Sequence, residues 1–314
     1  MIKETRIAVD AMGGDGGPKI IMPSIKDFIL ENEDISVKIY GDENILSNYL
    51  KIFNDDTISR IEIIHSDEKV LSTDSPSHAL RHKKKSSMSM AIQSVKDGKT
   101  QACISAGNTG ALMAISRFIL GTLDGIDRPA IESMLPSLSG HTHVLDLGAN
   151  VDCKAEHLYQ FAVMGSVLSM ILDEKDNPKV GLLNVGEETI KGNPQVKDAH
   201  NLLKSSKLNY VGFVEGDDIF CGNIDVIVCD GFTGNIVLKQ AEGIFSIMEK
   251  RGILDDYFKR FNYENYGGTP ILGIRGNVII GHGISNDIAI KNMLLHSYEV
   301  ASSGLAKKIK KAFK

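Results

Sequence analysis

No cysteine pair with metal-binding or redox spacing occurs in this chain of 314 residues; Cys103, Cys153, Cys221 and Cys229 stand apart, without a CxxC. A disulfide framework and a zinc ribbon are therefore excluded, and the thiols read as reduced, largely buried side chains of a cytosolic protein. Charge of one sign is not in excess either. With 35 Lys+Arg against 40 Asp+Glu the net charge is −5, so nothing in the balance speaks for a nucleic-acid partner. No apolar run reaches the ~20 residues of a membrane span without interruption by charge. Met1-Ile-Lys-Glu-Thr-Arg leads straight into the strand-like Ile7-Ala-Val9, with no apolar segment before a small-residue cleavage site. The expected location is the cytoplasm, and any membrane contact is expected to be peripheral. Repeats and low-complexity linkers are absent as well.

Several familiar motifs fail on inspection. Gly13-Gly-Asp-Gly-Gly-Pro18 does not have the spacing of a dinucleotide fingerprint. Gly98-Lys99-Thr100 ends like a P-loop, but Gln93 stands where the upstream glycine belongs. Gly283-Ile-Ser285 lacks the second glycine of a nucleophile elbow. His78 and His82 are four apart with no glutamate after His78, so a metalloprotease helix is excluded and the pair reads as a solvated surface feature. His141-Thr-His143 alternates along a strand or loop edge, where a ligand role is the lesser reading. No metal and no cofactor is expected.

What the chain does contain is an alternation of short β-branched runs with helical patterns. Strands are expected at Arg6–Asp10, Val37–Gly41, Arg60–His65, Gln101–Ser105, Val144–Leu147, Val180–Val185, Tyr210–Val214, Asp225–Cys229 and Asn277–Ile280. Helices are expected at Thr109–Leu120, Ala155–Leu172, Pro194–Ser205, Asn235–Lys250 and Asp287–Ser303. Such alternation predicts a mostly parallel sheet covered by helices on both faces. No clean domain boundary is visible; the stretch 124–142, with Pro129 and Pro136, reads as a hinge or excursion.

Five of these strands run directly into glycine-rich turns that also carry Asp, Asn or Thr. They are Ala11–Pro18, Ala106–Gly110, Gly148–Asp152, Gly186–Asn193 and Asp230–Asn235. Ligands of open α/β sheets bind at the carboxyl ends of the strands. Glycine there admits close approach of backbone N–H groups, and the following helix adds partial positive charge. The pattern points to an anionic ligand, phosphate above all.

In their order these segments resemble the PlsX family, the acyl-carrier-protein:phosphate acyltransferases. The resemblance rests on Val9-Asp-Ala-Met-Gly-Gly-Asp15, Arg81-His-Lys-Lys-Lys-Ser-Ser-Met88, Ala102-Cys-Ile-Ser-Ala-Gly-Asn-Thr-Gly-Ala-Leu112, Gly125-Ile-Asp-Arg-Pro-Ala130 and Leu145-Asp-Leu-Gly-Ala-Asn-Val-Asp152. It continues through Gly181-Leu-Leu-Asn-Val-Gly-Glu-Glu188, Lys191-Gly192, Cys229-Asp-Gly-Phe-Thr-Gly-Asn235, Tyr266-Gly-Gly268 and His282-Gly283, spanning about residues 6–300. The resemblance implies a single three-layer α/β/α sandwich on a large mixed, mostly parallel sheet, similar to the phosphotransacetylase and isocitrate dehydrogenase-like fold. It implies a homodimer that transfers a long-chain acyl group from acyl carrier protein to inorganic phosphate. The product would feed phospholipid synthesis through a glycerol-3-phosphate acyltransferase. Where the family has a longer membrane-touching helical hairpin, this chain is shorter. A truncated hairpin is expected at about 245–266, with Ile253, Leu254, Tyr257, Phe258 and Phe261 as an apolar stripe. A basic helix is expected at about 287–314.

Phosphate is itself a nucleophile near pH 7 and a thiol is a good leaving group, so the protein's tasks are positioning and charge stabilisation. Lys191, which matches a lysine of the family, is the expected cation. Gly13, Gly14, Gly107, Asn108 and Thr109 are expected to cradle phosphate, with Asn193 and Thr233 also binding substrate. Asn150, Asn184 and Asn235 are candidate oxyanion donors. Asp10 and Asp230 would orient Lys191 or an amide, and His282 would protonate the departing thiolate or cap a turn. Arg81 with Lys83–Lys85, and Lys307, Lys308, Lys310, Lys311 and Lys314 with Leu305, Ile309 and Phe313 interleaved, are candidate docking surfaces for acyl carrier protein or anionic lipid. Two alternatives stay open: a phosphotransacetylase-like enzyme acting on short acyl-coenzyme A, and a non-catalytic acyl- or phosphate-binding regulator.

Overall fold

The computed structural model describes residues 5–313, so the first four residues and Lys314 of the basic tail lie outside the description. Its strands are β1 Thr5–Asp10, β2 Ile35–Gly41, β3 Ile61–His65, β4 Ala102–Ser105, β5 Ala130–Ser137, β6 Gly140–Leu145, β7 Lys179–Leu183, β8 Asn209–Val214, β9 Val226–Val228, β10 Thr269–Leu272 and β11 Asn277–Ile280. The helices are α1 Pro18–Glu31, α2 Glu43–Leu46, α3 Asp55–Ile58, α4 Pro76–His82, α5 Ser87–Lys96, α6 Thr109–Leu120, α7 Ala155–Leu172, α8 Pro194–Lys204, α9 Asp218–Cys221, α10 Gly231–Lys250, α11 Asp287–Ser303 and α12 Leu305–Ala312. Backbone contacts divide the chain into two compact units. One comprises the chain up to Thr122 with Tyr263–Gly304, the other Leu123–Asn262 with the segment from Leu305 onward.

In the first unit the strands run in the order β3-β2-β1-β4-β11-β10. All neighbours are parallel except the β10–β11 pair. Helices α5 and α11 both pack on β1 and β4, and α1 packs on α11. Ile7, Ala8 and Val9 are consecutive yet all buried, which requires cover on both faces of β1. Phe28, Ile29, Ile39 and Ile104 fill the same interior, each removing enough apolar surface to contribute about 2 kcal/mol.

The second unit orders its strands β5-β6-β9-β7-β8. Only the β5–β6 hairpin is antiparallel. Helix α7 lies on β6, β7 and β9, and α8 and α12 pack against α7. The spacing predicts a buried stripe of Leu158, Phe161, Ala162, Gly165, Leu168 and Leu172 on α7; the first five are buried and Leu172, at the end of the helix, is partly exposed. The fold class expected from the alternation pattern, α/β on mostly parallel strands, is what the two units display.

Three local expectations need correction. The stretch 124–142, read as a hinge or excursion, holds β5 and the first residues of β6, with Pro136 of β5 opposite His141. Helix α10 begins at Gly231, four residues before the expected Asn235, because Asp230 caps it by accepting from Thr233 N at 2.8 Å. The basic tail helix is two helices, divided at Gly304, whose φ of 67° is the left-handed conformation that ends α11. Over 245–266, α10 runs on to Lys250 and is followed by 3-10 turns at Phe258–Phe261 and Tyr263–Asn265. Tyr257, Phe258 and Phe261 pack against one another, and Phe261 also meets Phe220.

Candidate active site

In the first unit the turns after β1, β4 and β11 meet at one rim, since those strands are adjacent and parallel in the order β1-β4-β11. Asp10, the last residue of β1, is buried. Its carboxylate accepts from Ser87 Oγ at 2.6 Å, Ser105 Oγ at 2.7 Å and Met12 N at 3.3 Å. Burial pushes the Asp10 carboxyl above its ordinary range, against the hydrogen bonds from Ser105 and Ser87 that favour the anion. The Ser105 hydroxyl in turn accepts from Gly107 N at 3.1 Å. A Cβ at Gly13 would lie 2.9 Å from both Asp10 Oδ2 and Gly107 N, so only glycine allows these two turns to touch. Asp15 N donates to Gly283 O at 2.8 Å and Gly281 N to Ser105 O at 2.9 Å, which brings the loop after β11 to the same place.

Asn108 caps α6, accepting from Ala111 N at 3.0 Å. Its Nδ2 donates to the carbonyls of Leu71, Ser72 and Asp74. The Asn108 side chain is therefore occupied in holding the 71–74 segment; what it leaves toward solvent is the backbone start of α6 at Thr109, which is exposed. His282 is exposed beside the Tyr263 ring, and its carbonyl accepts from Ser285 N at 2.9 Å, the turn expected of it.

The second unit builds a comparable rim after β6, β9 and β7. Its organiser is Asp146, a residue that sequence reasoning passed over. Asp146 Oδ1 accepts from Ile131 N at 2.9 Å and Ala149 N at 3.3 Å; Oδ2 accepts from Asn150 N at 2.6 Å and Asn150 Nδ2 at 3.0 Å. Burial raises the Asp146 carboxyl, opposed by these same donors. Asn150 also donates to Pro129 O at 2.8 Å and is buried, which turns its amide inward and away from any ligand. Asp230 holds Thr233 twice, through N at 2.8 Å and Oγ1 at 3.0 Å. Asn235 stands exposed on the first turns of α10, its side chain against the position where a Cβ on Gly148 would project.

The loop after β7 folds on itself. Asn184 Nδ2 donates to Gly186 O at 3.0 Å, and Gly192, with φ 91°, passes closely over the Asn184 amide. Asn193 caps α8 by accepting from Val196 N at 2.9 Å. Lys191 Nζ is exposed and donates to Glu188 Oε2 at 2.7 Å; this hydrogen bond to Glu188 raises its pKa. The partner of Lys191 is thus Glu188. Asp10 and Asp230, expected to orient it, are engaged with serines and with Thr233. Cysteine chemistry is unsupported: burial lifts Cys103 and Cys229 well above the ordinary thiol range and pushes Cys153 up to about 12.

The fold is that of the phosphotransacylases. A phosphotransacetylase from Streptococcus pyogenes superposes with a TM-score of 0.69 at 17% identity, over 96% of this chain and 95% of that one. A branched-chain phosphotransacylase from Enterococcus faecalis gives 0.63 at 13% identity, over 95% and 99%. Closer relationship comes from sequence. The model of the fatty acid synthesis protein family matches residues 5–308. A phosphate acyltransferase of Methylococcus capsulatus is 50% identical over 307 residues, 92% of this chain and 91% of that protein. The chain belongs to the fatty acid synthesis protein family, the group of phosphate acyltransferases that its ordered glycine motifs resembled.

Proposed function

We propose that this protein transfers an acyl group from a thioester to inorganic phosphate, giving acyl phosphate and free thiol, with long-chain acyl carrier protein as the donor. The observation that carries the reading is the near full-length match at 50% identity to a phosphate acyltransferase. In the reaction a phosphate oxygen attacks the thioester carbonyl, a C–O bond forms, the C–S bond breaks, and the thiolate takes up a proton. No protein nucleophile is needed, which agrees with thiols held far from ionisation.

Residue roles follow from the two rims taken one at a time. In the first unit, Gly14 and Thr109 offer backbone N–H groups beside the start of α6, while Gly13 and Gly107, whose N–H groups serve Asp10 O and Ser105 Oγ, let the two turns meet closely, a geometry suited to phosphate. Asn108 and Asp10 act as positioning residues for that cradle. In the second unit, Lys191 supplies the cation, released from Glu188 when an anion arrives. Asn235 is the exposed amide donor, while Asn184, Asn150, Asn193, Thr233 and Asp230 hold the turns that present them. His282, exposed on the loop after β11, gives a proton to the leaving thiolate. The test is acyl-phosphate formation by Lys191→Ala and Lys191→Arg variants with unchanged circular dichroism. Loss of about 100-fold or more in kcat/KM for the alanine variant is expected, as for removal of a charge stabiliser. Near-normal turnover would refute the assignment.

The similarity in fold to phosphotransacetylases favours one competing reading, transfer from short acyl-coenzyme A. Parallel assays with palmitoyl-acyl carrier protein and acetyl-coenzyme A separate the two by product.

Docking of an acidic carrier is supported at α12. Leu305 and Ile309 are buried, Phe313 packs over Gly125, and Lys307, Lys308 and Lys311 project outward. Since the apolar side of α12 is already used, contact there with a carrier or an anionic membrane would be electrostatic. Salt would then raise KM for the carrier substrate. Among the described residues no helix is long and apolar enough to cross a membrane. A homodimer through α10 is part of the same proposal, on the ground that Phe232, Ile236, Ile244 and Ile247 are exposed along it.

A further inference from the structure

The strongest unassigned cluster lies in the second unit at the opposite ends of β6 and α7 from the glycine rim. His141 and His143 sit two apart on β6 and so point to the same face. They meet Asp173, the residue that ends α7. His141 Nε2 is 2.8 Å from Asp173 Oδ1, and His143 Nε2 is 2.7 Å from Asp173 Oδ2. The two imidazoles stand edge to face, with centroids 5.1 Å apart and planes at 86°, each Nε2 facing one oxygen of the same carboxylate. One ligand atom from each of the three residues falls within 4.8 Å of the others.

We infer that His141, His143 and Asp173 form a binding site for a zinc-type divalent cation, with Glu132 as the outer carboxylate that orients His143. This departs from the expectation that no metal is bound, and it is independent of the acyl-transfer proposal. Glu132 Oε1 lies 2.7 Å from His143 Nδ1, on the adjacent strand β5. A ligating histidine whose second nitrogen is tied to a carboxylate is the recurrent arrangement of zinc proteins. Ser169 Oγ donates to Asp173 Oδ2 at 2.7 Å and fixes the third ligand in the same way. A second electrostatic feature points the same way: the C-terminal end of α7, an 18-residue helix, presents its negative pole to the cluster. Two carboxylates at this depth need positive compensation, which a divalent ion supplies and which a proton on an imidazole would otherwise supply.

The donor set, two imidazoles and one carboxylate, suits zinc, and leaves a fourth position for water. The His143 side chain is fully buried and that of Asp173 is 12% exposed, but that of His141 is 33% exposed, so the ion enters from the His141 side. With metal–ligand bonds of about 2.0–2.2 Å, tetrahedral ligand atoms stand about 3.3 Å apart. The present 2.7–2.8 Å separations therefore open by about half an ångström on binding, within reach of side-chain rotation at His141. The ion would join the end of α7 to β6, a structural clamp rather than a catalytic centre.

The experiment uses the full chain, dialysed against chelator and then titrated with Zn²⁺ or Co²⁺. Expected results are one ion bound per chain, the visible absorption bands of tetrahedral Co²⁺, and a thermal midpoint raised by Zn²⁺. His141→Ala, at the exposed ligand, and Asp173→Asn should each weaken binding by about 100-fold, and Glu132→Gln by about 10- to 100-fold. The double variant His78→Ala, His82→Ala, which removes the surface pair, should bind as the parent does. Absence of the cobalt bands with no Zn²⁺ retained by the parent chain would overturn the inference. Unchanged affinity in His141→Ala and Asp173→Asn would overturn it equally.

Discussion

Two glycines of α10 should respond to the same substitution with opposite signs. Gly231 opens the helix against the Asp146–Asn150 turn. A Cβ there would lie 2.7 Å from Asn150 O and 2.8 Å from Asp146 Oδ2, where ordinary contacts begin near 3.4 Å. Neither neighbour is a free side-chain end, because Asn150 O is backbone and accepts from Gly231 N at 2.8 Å, and Asp146 is fixed by four donors. Gly231→Ala must therefore push α10 off the turn. Overpacking of this kind costs about 1–3 kcal/mol, and weakening of the Gly231–Asn150 hydrogen bond adds about 1 kcal/mol. Gly243 lies three turns further along the same helix, exposed, with no atom within 4 Å of its would-be Cβ. Gly243→Ala should stabilise by about 1 kcal/mol through helix propensity alone. The two variants are then separated by about 4 kcal/mol. At a urea slope of about 2 kcal/mol per M, their midpoints should fall on either side of the parent, roughly 2 M apart. Coincident midpoints, or a destabilised Gly243→Ala, would show that the close approach at Gly231 does not set the position of α10.

Three further outcomes are expected. Because burial holds the folded-state pKa of Asp10 above its unfolded value, the native state binds the Asp10 proton more tightly. Stability from this group is thus greatest below about pH 4 and falls as pH rises through the folded pKa. Thermal unfolding from pH 3.5 to 7 should show the parent losing stability relative to Asp10→Asn over that window. Asn108→Ala removes the α6 cap, about 1 kcal/mol, and the ties to Leu71, Ser72 and Asp74, about 1 kcal/mol more; limited proteolysis should then nick near residues 71–74 before other sites. Raising ionic strength from 0.05 to about 0.3 M should increase KM for acyl carrier protein while leaving kcat with a neutral thioester donor unchanged; a KM insensitive to salt would remove the α12 docking reading.

Much of this architecture is legible in the sequence because its signals are local. Strand β4 and helix α6 are read correctly: a short buried apolar run ends in Ser-Ala-Gly-Asn-Thr, and Asn is a cap that acts within three residues. The β5–β6 hairpin is not, since Pro136 and a mixed burial pattern look like an excursion until the partner strand supplies its register. The start of α10 is hidden for a related reason. Gly-Phe-Thr-Gly has poor helix propensity, and it is helical because Asp230 caps it and because Gly231 must fit against Asn150. The end of α11 at Ser303 is legible, but the tail expected over 287–314 is cut there into two helices by one positive φ, at Gly304. Asp146 escaped notice because its donors include Ile131, which comes from that unassigned hairpin. The Glu132–His143–Asp173 contact joins three elements up to 41 positions apart, and no periodicity encodes it.

The acids at the strand ends bear directly on how a phosphate could be held. Asp10, Asp146 and Asp230 occupy the last position of a strand or one of the two residues beyond it, the place where a general base would be sought. Each has its oxygens taken by donors of its own unit: Ser87 and Ser105 for Asp10, backbone amides and Asn150 for Asp146, Thr233 for Asp230. A carboxylate turned into its own loop does not repel an incoming anion as a free one would, and the N–H groups it orders are held in place before any ligand arrives. Preorganisation of this kind is what an acyl transfer to phosphate requires, since the nucleophile is already ionised. Replacing any of the three by alanine should therefore lower turnover by disordering donors, and the loss should not be recovered by raising pH, as loss of a base would be. Replacement by asparagine, which keeps one acceptor, should preserve most of the activity. If instead the asparagine variants were as inactive as the alanine ones and regained rate with added small-molecule bases, one of these acids would have to be moving a proton.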